Sequence, residues 1–272
     1  MRGGPNEFTK RALTGAVYVT LTLGAAIAGP WTTFMLFLPV CMIGAREWHR
    51  LYHTEGEADP GEVRTMLLAA VVFIAIGLLP MLDGRFLARS SCVIMAVLVA
   101  LAFDVMRRGV KDPARAFAGF LATVLYIASP FAVVTSLVGV HWHVFVGFMF
   151  LLWSSDTGAY LVGRSIGRTK LMPSVSPGKT WEGLAGGMAL TMLVGWLLAK
   201  YWVELTATQW MAAAATVAVT ATLGDLLESA FKRAKGVKDS GTILPGHGGI
   251  LDRFDGFLLA APAMLLVVRL LN

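Results

Sequence analysis

Charge is scarce in this chain. Only 15% of its 272 residues are Asp, Glu, Lys or Arg, while 56% are hydrophobic. Soluble domains carry about 25% charged residues, so composition excludes an ordinary water-soluble fold and points to an integral membrane protein. Cysteine is nearly missing too. Cys41 and Cys92 both lie in apolar runs, as small buried side chains do, and no disulfide framework is implied. The sequence has no 20–50-residue repeat, heptad array or low-complexity tract, which excludes solenoids and coiled coils. A leader-cleavage pattern is also lacking. The apolar stretch 12–28 is long for a signal core, no A-x-A-like site follows it, and a second apolar run begins at Trp31. A retained first span is therefore expected.

What is present is a series of apolar segments, roughly 12–28, 31–46, 65–81, 90–105, 116–138, 142–163, 183–202, 208–230 and 251–271. A membrane-crossing helix needs about 20 residues, and the two shortest segments, 31–46 and 90–105, read as tilted or partly buried helices. The expected fold is all-α: a polytopic integral membrane protein with about nine transmembrane helices. Pro30, Pro60, Pro80, Pro113 and Pro245 fall in the connections, while Pro130 and Pro262 fall inside spans.

The charges that do occur are unevenly shared. Threaded with the N-terminus inside, the connections leave Arg85, Arg89, Lys200 and Arg269 outside and the other 19 of 23 basic residues inside. That asymmetry is a positive-inside signal and makes the N-terminus cytoplasmic. It also argues against nucleic acid as the reason for the net charge of +6, because the basic residues follow membrane topology. The chain changes character near residue 150. Residues 1–150 read as scaffold helices facing lipid, and 151–272 as a catalytic transmembrane region whose polar residues invade the span ends.

The densest polar stretch is Ser229–Asp255, SAFKRAKGVKDSGTILPGHGGILDRFD. It holds Lys232, Arg233, Lys235, Lys238, Asp239, His247, Asp252, Arg253 and Asp255 among five glycines in 27 residues. Charge of both signs beside glycines that admit close backbone approach describes a site for a multiply anionic substrate and a metal. Asp225 sits just inside the end of the eighth segment, four residues before Ser229, so the two neighbour each other on one helical face. Asp252 and Asp255 sit three apart at the start of the ninth. Carboxylates in this arrangement suit Mg²⁺, a hard cation held by one or two acids plus substrate phosphates, with the basic residues neutralising those phosphates. Gly248 and Gly249 give the turn backbone freedom to expose N–H groups.

A second constellation, 153–183, reads WSSDTGAYLVGRSIGRTKLMPSVSPGKTWEG and places Asp156 inside the sixth segment. Its SPGKT ending looks like part of a P-loop, but residue 173 is proline where that spacing needs glycine, so a nucleotide-hydrolase P-loop is rejected. A cytoplasmic anion-binding loop containing Lys179 is expected instead. Glu47, His49 and His53 read as an amphipathic interfacial span end. His141 and His143 fall on the side opposite the basic loops, tryptophans such as Trp31, Trp48, Trp142, Trp202 and Trp210 read as an interface belt, and the 13 methionines as core filler.

The run from Ser229 to Asp255 resembles throughout the signature of the phosphatidate cytidylyltransferases, S-x-F-K-R-x4-K-D-x-G-x2-L-P-x-H-G-G-I-x-D-R-F-D. It fixes 17 positions in 27. SDTGAY (155–160), SPGKTWEG (176–183) and GDLLES (224–229) are similar to the same family, and the likeness is dense over about 153–256. The resemblance implies transfer of CMP from CTP to phosphatidic acid, giving CDP-diacylglycerol and pyrophosphate, with no protein nucleophile. It implies Mg²⁺ and room for a second cation, and metal ligation by Asp225 and Asp252, with Asp255 in support. Lys232, Arg233, Lys238, Asp239, His247 and Arg253 are then catalytic, while Ser229, Lys179, Asp156, Gly248 and Gly249 bind substrate. The implied setting is a bacterial inner (plasma) membrane with the site on its cytoplasmic side, CTP, phosphatidic acid and the bilayer as partners, and a homodimer allowed. Rival readings are a cytidylyltransferase for another anionic lipid and, from a different class, an ion-coupled transporter. The latter would show matching broken helices in two halves, which the sequence lacks.

Overall fold

The computed structural model describes residues 5–52, 60–82, 113–243 and 248–271, with Met95 and Val99. Proline marks several helix starts. α1 (Pro5–Ala28), α2 (Pro30–Tyr52), α3 (Pro60–Leu82) and α4 (Pro113–Ala122) each begin on one, where the missing N–H costs nothing. Pro80, expected in a connection, instead lies in the last turn of α3. Gly29, at φ 118°, ends α1 in the left-handed region, so that α2 starts one residue later.

α4 continues without a break through a π-helical turn, Thr123–Ala128, into α5 (Ser129–Val140). Both the N–H and the hydroxyl of Ser129 donate to the Val124 carbonyl, the hydroxyl at 2.7 Å, which satisfies the wide turn from within. α6 (Trp142–Ile166), α7 (Trp181–Tyr201), α8 (Ala207–Ala234) and α9 (Leu251–Leu270) follow among the described residues. Between α6 and α7 runs an antiparallel hairpin, β1 (Lys170–Met172) and β2 (Ser176–Thr180), pairing Lys170 with Thr180 and Met172 with Ser176. Among the described residues, the all-α expectation holds apart from this hairpin.

The helices track the apolar segments closely. Among the described residues, five are long and apolar enough to cross a membrane: Gly61–Leu78, Phe117–Val140, Trp142–Ile166, Trp181–Tyr201 and Ala207–Ala234. Leu13–Ala28 is a shorter apolar helix. The segment 90–105 lies outside the described residues, apart from Met95 and Val99.

The chain divides into two compact units. The first comprises Met1–Gly139 with Ser240–Arg253. Its core is aromatic, with Phe34, Phe37, Phe73 and Phe131 buried and the Phe34 and Phe73 rings 5.2 Å apart. The Thr135 hydroxyl donates to the Gly77 carbonyl at 3.1 Å and ties α5 to α3. Trp48, expected at a membrane interface, is instead buried against Tyr126, their rings 5.6 Å apart.

The second unit comprises Val140–Asp239 with Phe254–Asn272. Phe145, Phe148, Met149, Trp210 and Phe257 are fully buried in its core, so Trp210 too is a core residue and not an interface anchor. α6 and α7 meet backbone to backbone. A Cβ on Gly158 would lie 2.6 Å from the Gly186 carbonyl, and one on Gly187 would lie 2.8 Å from the Ser155 carbonyl. This is the small-residue packing that lets membrane helices approach without a hydrophobic drive between them. The hairpin feeds directly into α7: Thr180 caps it by accepting from the Gly183 N–H at 3.1 Å, and the Glu182 carboxylate accepts from the N–H groups of Arg168 and Thr169.

Candidate active site

In the first unit, the site is the signature loop and what holds it. Ser240 to Arg253 is fastened by two carboxylates. Asp252 Oδ2 accepts from the Ser240 N–H at 2.8 Å, the Ser240 hydroxyl at 3.0 Å and the Gly249 N–H at 2.8 Å. Glu47, from α2, accepts from the N–H groups of Ile250 and Leu251, each at 2.9 Å, and from the Ser240 hydroxyl at 3.0 Å. Glu47 is 2% exposed. A buried carboxylate is stabilised by charge-assisted bonds of this kind, and here the donors are the loop itself. Gly248 takes φ 80°, and a Cβ on Gly249 would meet Glu47 Oε2 at 2.4 Å, so the turn depends on both glycines.

Glu47 is the residue that sequence reasoning missed. It was expected with His49 at an interface, but both are buried, and His49 Nδ1 lies 2.8 Å from the Thr65 hydroxyl. Glu47 stands beside Arg46, His49 and Arg50 at the polar end of α2, so nothing local set it apart from an interfacial residue.

In the second unit, α6, the hairpin, α8 and α9 bring acids together. Lys179 Nζ, from β2, is 2.6 Å from Asp225 Oδ2 and donates to the Thr222 carbonyl at 3.4 Å. The Ser229 hydroxyl donates to Asp225 Oδ1 at 3.2 Å, as their four-residue spacing led us to expect. Gly224 lets α9 lie against α8, since a Cβ there would meet the Asp255 carbonyl at 2.6 Å. Asp156 lies within electrostatic range of Asp225 and Lys179, and Asp255 within range of Asp225, Glu228 and Asp156. Glu228, buried one turn beyond Asp225, pairs with Lys232 at 3.1 Å. The sequence-predicted residues Asp156, Lys179, Asp225, Ser229 and Asp255 therefore form one cluster.

Arg233 is exposed and donates to the carbonyls of Val175 and Val237 at 3.4 and 3.2 Å. Lys238, Asp239 and Arg253 are exposed. His247 lies outside the described residues.

Chemically, three carboxylates sharing one neighbourhood with the Lys179 ammonium leave local negative charge in excess. Like-charged groups at such range repel unless a cation joins them, and an all-oxygen donor set suits a hard divalent ion. Carboxylate oxygens are donors of the kind a hard divalent ion takes.

A model of the cytidylyltransferase family matches residues 9–271. The chain belongs to that family. Among relatives, proteins named phosphatidate cytidylyltransferase from Staphylococcus aureus (strain COL) and Staphylococcus haemolyticus (strain JCSC1435) are 33% and 32% identical. Each alignment covers 93% of this chain and 96% of the relative. A protein of the same name from Staphylococcus epidermidis (strain ATCC 12228) is 49% identical over 123 residues, covering 44% of this chain and 47% of the relative. Family membership and near-complete coverage place both the carboxylate cluster and the Glu47-held loop inside the matched cytidylyltransferase region.

Proposed function

We propose that this chain transfers CMP from CTP to phosphatidic acid, releasing pyrophosphate and forming CDP-diacylglycerol. The phosphate oxygen of the lipid attacks the α-phosphorus of CTP, one P–O bond forms and the bond to pyrophosphate breaks. The observation that carries this reading is the Asp156–Asp225–Asp255 cluster with Lys179, inside a chain that belongs to the cytidylyltransferase family. Nucleotidyl transfer needs positioned substrates and charge stabilisation and little covalent chemistry from protein.

In this reading Asp225 and Asp255, with Asp156, hold Mg²⁺, which when bound neutralises phosphate charge. The metal role of Asp252 rests on the signature, alongside its loop-fastening bonds. Lys179 orients the Asp225 carboxylate, and Ser229 holds the same carboxylate from the opposite oxygen. Lys238 is an exposed cation that can meet phosphate oxygens, and Arg233 and Arg253 are exposed beside it. We further infer nine spans with a cytoplasmic N-terminus, from the positive-inside asymmetry. The basic hairpin and signature loop then face a cytoplasm that supplies CTP, in a bacterial inner membrane that supplies the lipid.

The test uses purified protein, CTP labelled at the α-phosphate, phosphatidic acid and Mg²⁺. A labelled CDP-lipid is expected. Asp225→Asn should lower its formation on the order of a hundredfold or more, since loss even of outer-shell support costs 10–100-fold. Product from a different phosphorylated lipid alone would replace phosphatidic acid as substrate. No product from any phosphorylated lipid, or full activity in folded Asp225→Asn, would overturn the assignment.

A further inference from the structure

At the other end of α6 stands a cluster that the transferase reading leaves unused. His141 caps α6, its Nδ1 accepting from the His143 N–H at 3.3 Å. Glu204, in the connection between α7 and α8, reaches back to both histidines: its Oε1 contacts His143 Nδ1 and lies 3.4 Å from His141 Nδ1. One ligand atom from each of the three lies within 4.8 Å of the other two. The His143 ring is stacked on Trp202, with centroids 4.5 Å apart and planes 15° off parallel, so its position is fixed by packing.

Glu204 Oε2 is the observation that asks for a ligand. It is buried and has no hydrogen-bond partner among the described residues. A carboxylate oxygen removed from water without a donor costs free energy, and the histidine contacts through Oε1 leave Oε2 unsatisfied. Burial raises the affinity of Glu204 for a proton, but the hydrogen bond from His143 and the further favourable contacts outweigh it and hold the group below the ordinary carboxylate range.

We propose that His141, His143 and Glu204 form a binding site for a divalent transition metal of the zinc class. Two imidazoles and one carboxylate are a donor set that this class takes, with a coordination position left for water. The hard, all-oxygen chemistry of Mg²⁺ belongs instead to the carboxylate cluster. Asp156 follows His143 by 13 residues on the same helix, so the two sites are about 20 Å apart. Bound metal would clasp the start of α6 to the α7–α8 connection. The inference is independent of the transferase reading.

Full-length protein freed of any purification tag, in detergent, is titrated with Co²⁺ as a visible-absorbing probe and then with competing Zn²⁺. We expect one equivalent of Co²⁺ with intense d–d absorption, bleached by Zn²⁺, and a higher melting temperature with Zn²⁺. Glu204→Gln, which keeps the side chain's size, should weaken binding at least about tenfold, and His141→Ala/His143→Ala should abolish the spectrum. Elution volume and the far-ultraviolet circular dichroism spectrum check that these variants are folded. Absence of the absorption in the unsubstituted protein, or equal binding in Glu204→Gln, would overturn the site. So would weak metal uptake of the same size in every variant.

Discussion

Glu47 shows how much one buried side chain can organise. Its two oxygens take the N–H groups of Ile250 and Leu251 and share the Ser240 hydroxyl with Asp252. Glu47→Ala would leave those donors without this acceptor, at about 1–3 kcal/mol for each that finds no substitute. We expect faster amide exchange at Gly249–Leu251, read by hydrogen-exchange mass spectrometry, and at least about a tenfold loss of CDP-lipid formation. Unchanged exchange would show that the loop does not depend on Glu47. The site's acids were legible to different degrees. Asp225 and Ser229 declared themselves by helical spacing, and Asp252 and Asp255 by the signature. Glu47 did not, because its partners lie 193–204 residues away and no local pattern records such a pairing. Lys232 was legible as a cation but not as the partner of Glu228, since both lie on a face whose burial only the packing decides.

At the scale of elements, periodicity and length placed the helices well, and proline placed several starts. The π-helical turn at Thr123–Ala128 was invisible, because its residues are ordinary helix formers and its bonds are set by neighbours. The hairpin was read as an anion-binding loop without strands: three- and five-residue strands carry too little alternation to stand out. The seam between α6 and α7 was unread for a related reason, since the glycines are visible in sequence but their partners are not. Gly158→Ala tests it. The new methyl would meet the Gly186 carbonyl at 2.6 Å, and backbone must move to admit it. Overpacking costs about 1–3 kcal/mol, which corresponds to a melting temperature roughly 5 °C lower in a chain of this size. Gly139→Ala, with nothing within 4 Å of the added atom, is the control and should leave melting unchanged. Equal melting of the two variants would remove the seam as a stabilising contact.

For the whole molecule, the leading question is orientation, and the charge asymmetry gives a direct test. Val203, 93% exposed in the α7–α8 connection, falls outside in the proposed topology, while Lys170 in the hairpin falls inside. In intact cells and a background without native cysteines, Val203→Cys should react with a membrane-impermeant maleimide. Lys170→Cys should react only after permeabilisation. The reverse pattern would invert the topology. Fold class was legible from composition because a bilayer imposes length and apolarity on every crossing helix. The grouping of Ser240–Arg253 with the first 139 residues was not, since only long-range contacts define it. That grouping bears on how the protein is made. The acid that fastens the signature loop is synthesised with α2, while its donors emerge about 200 residues later. At roughly 5–20 residues per second, Glu47 waits on the order of tens of seconds for its partners. Any nascent chain released before residue 250 carries the acid without the loop it secures.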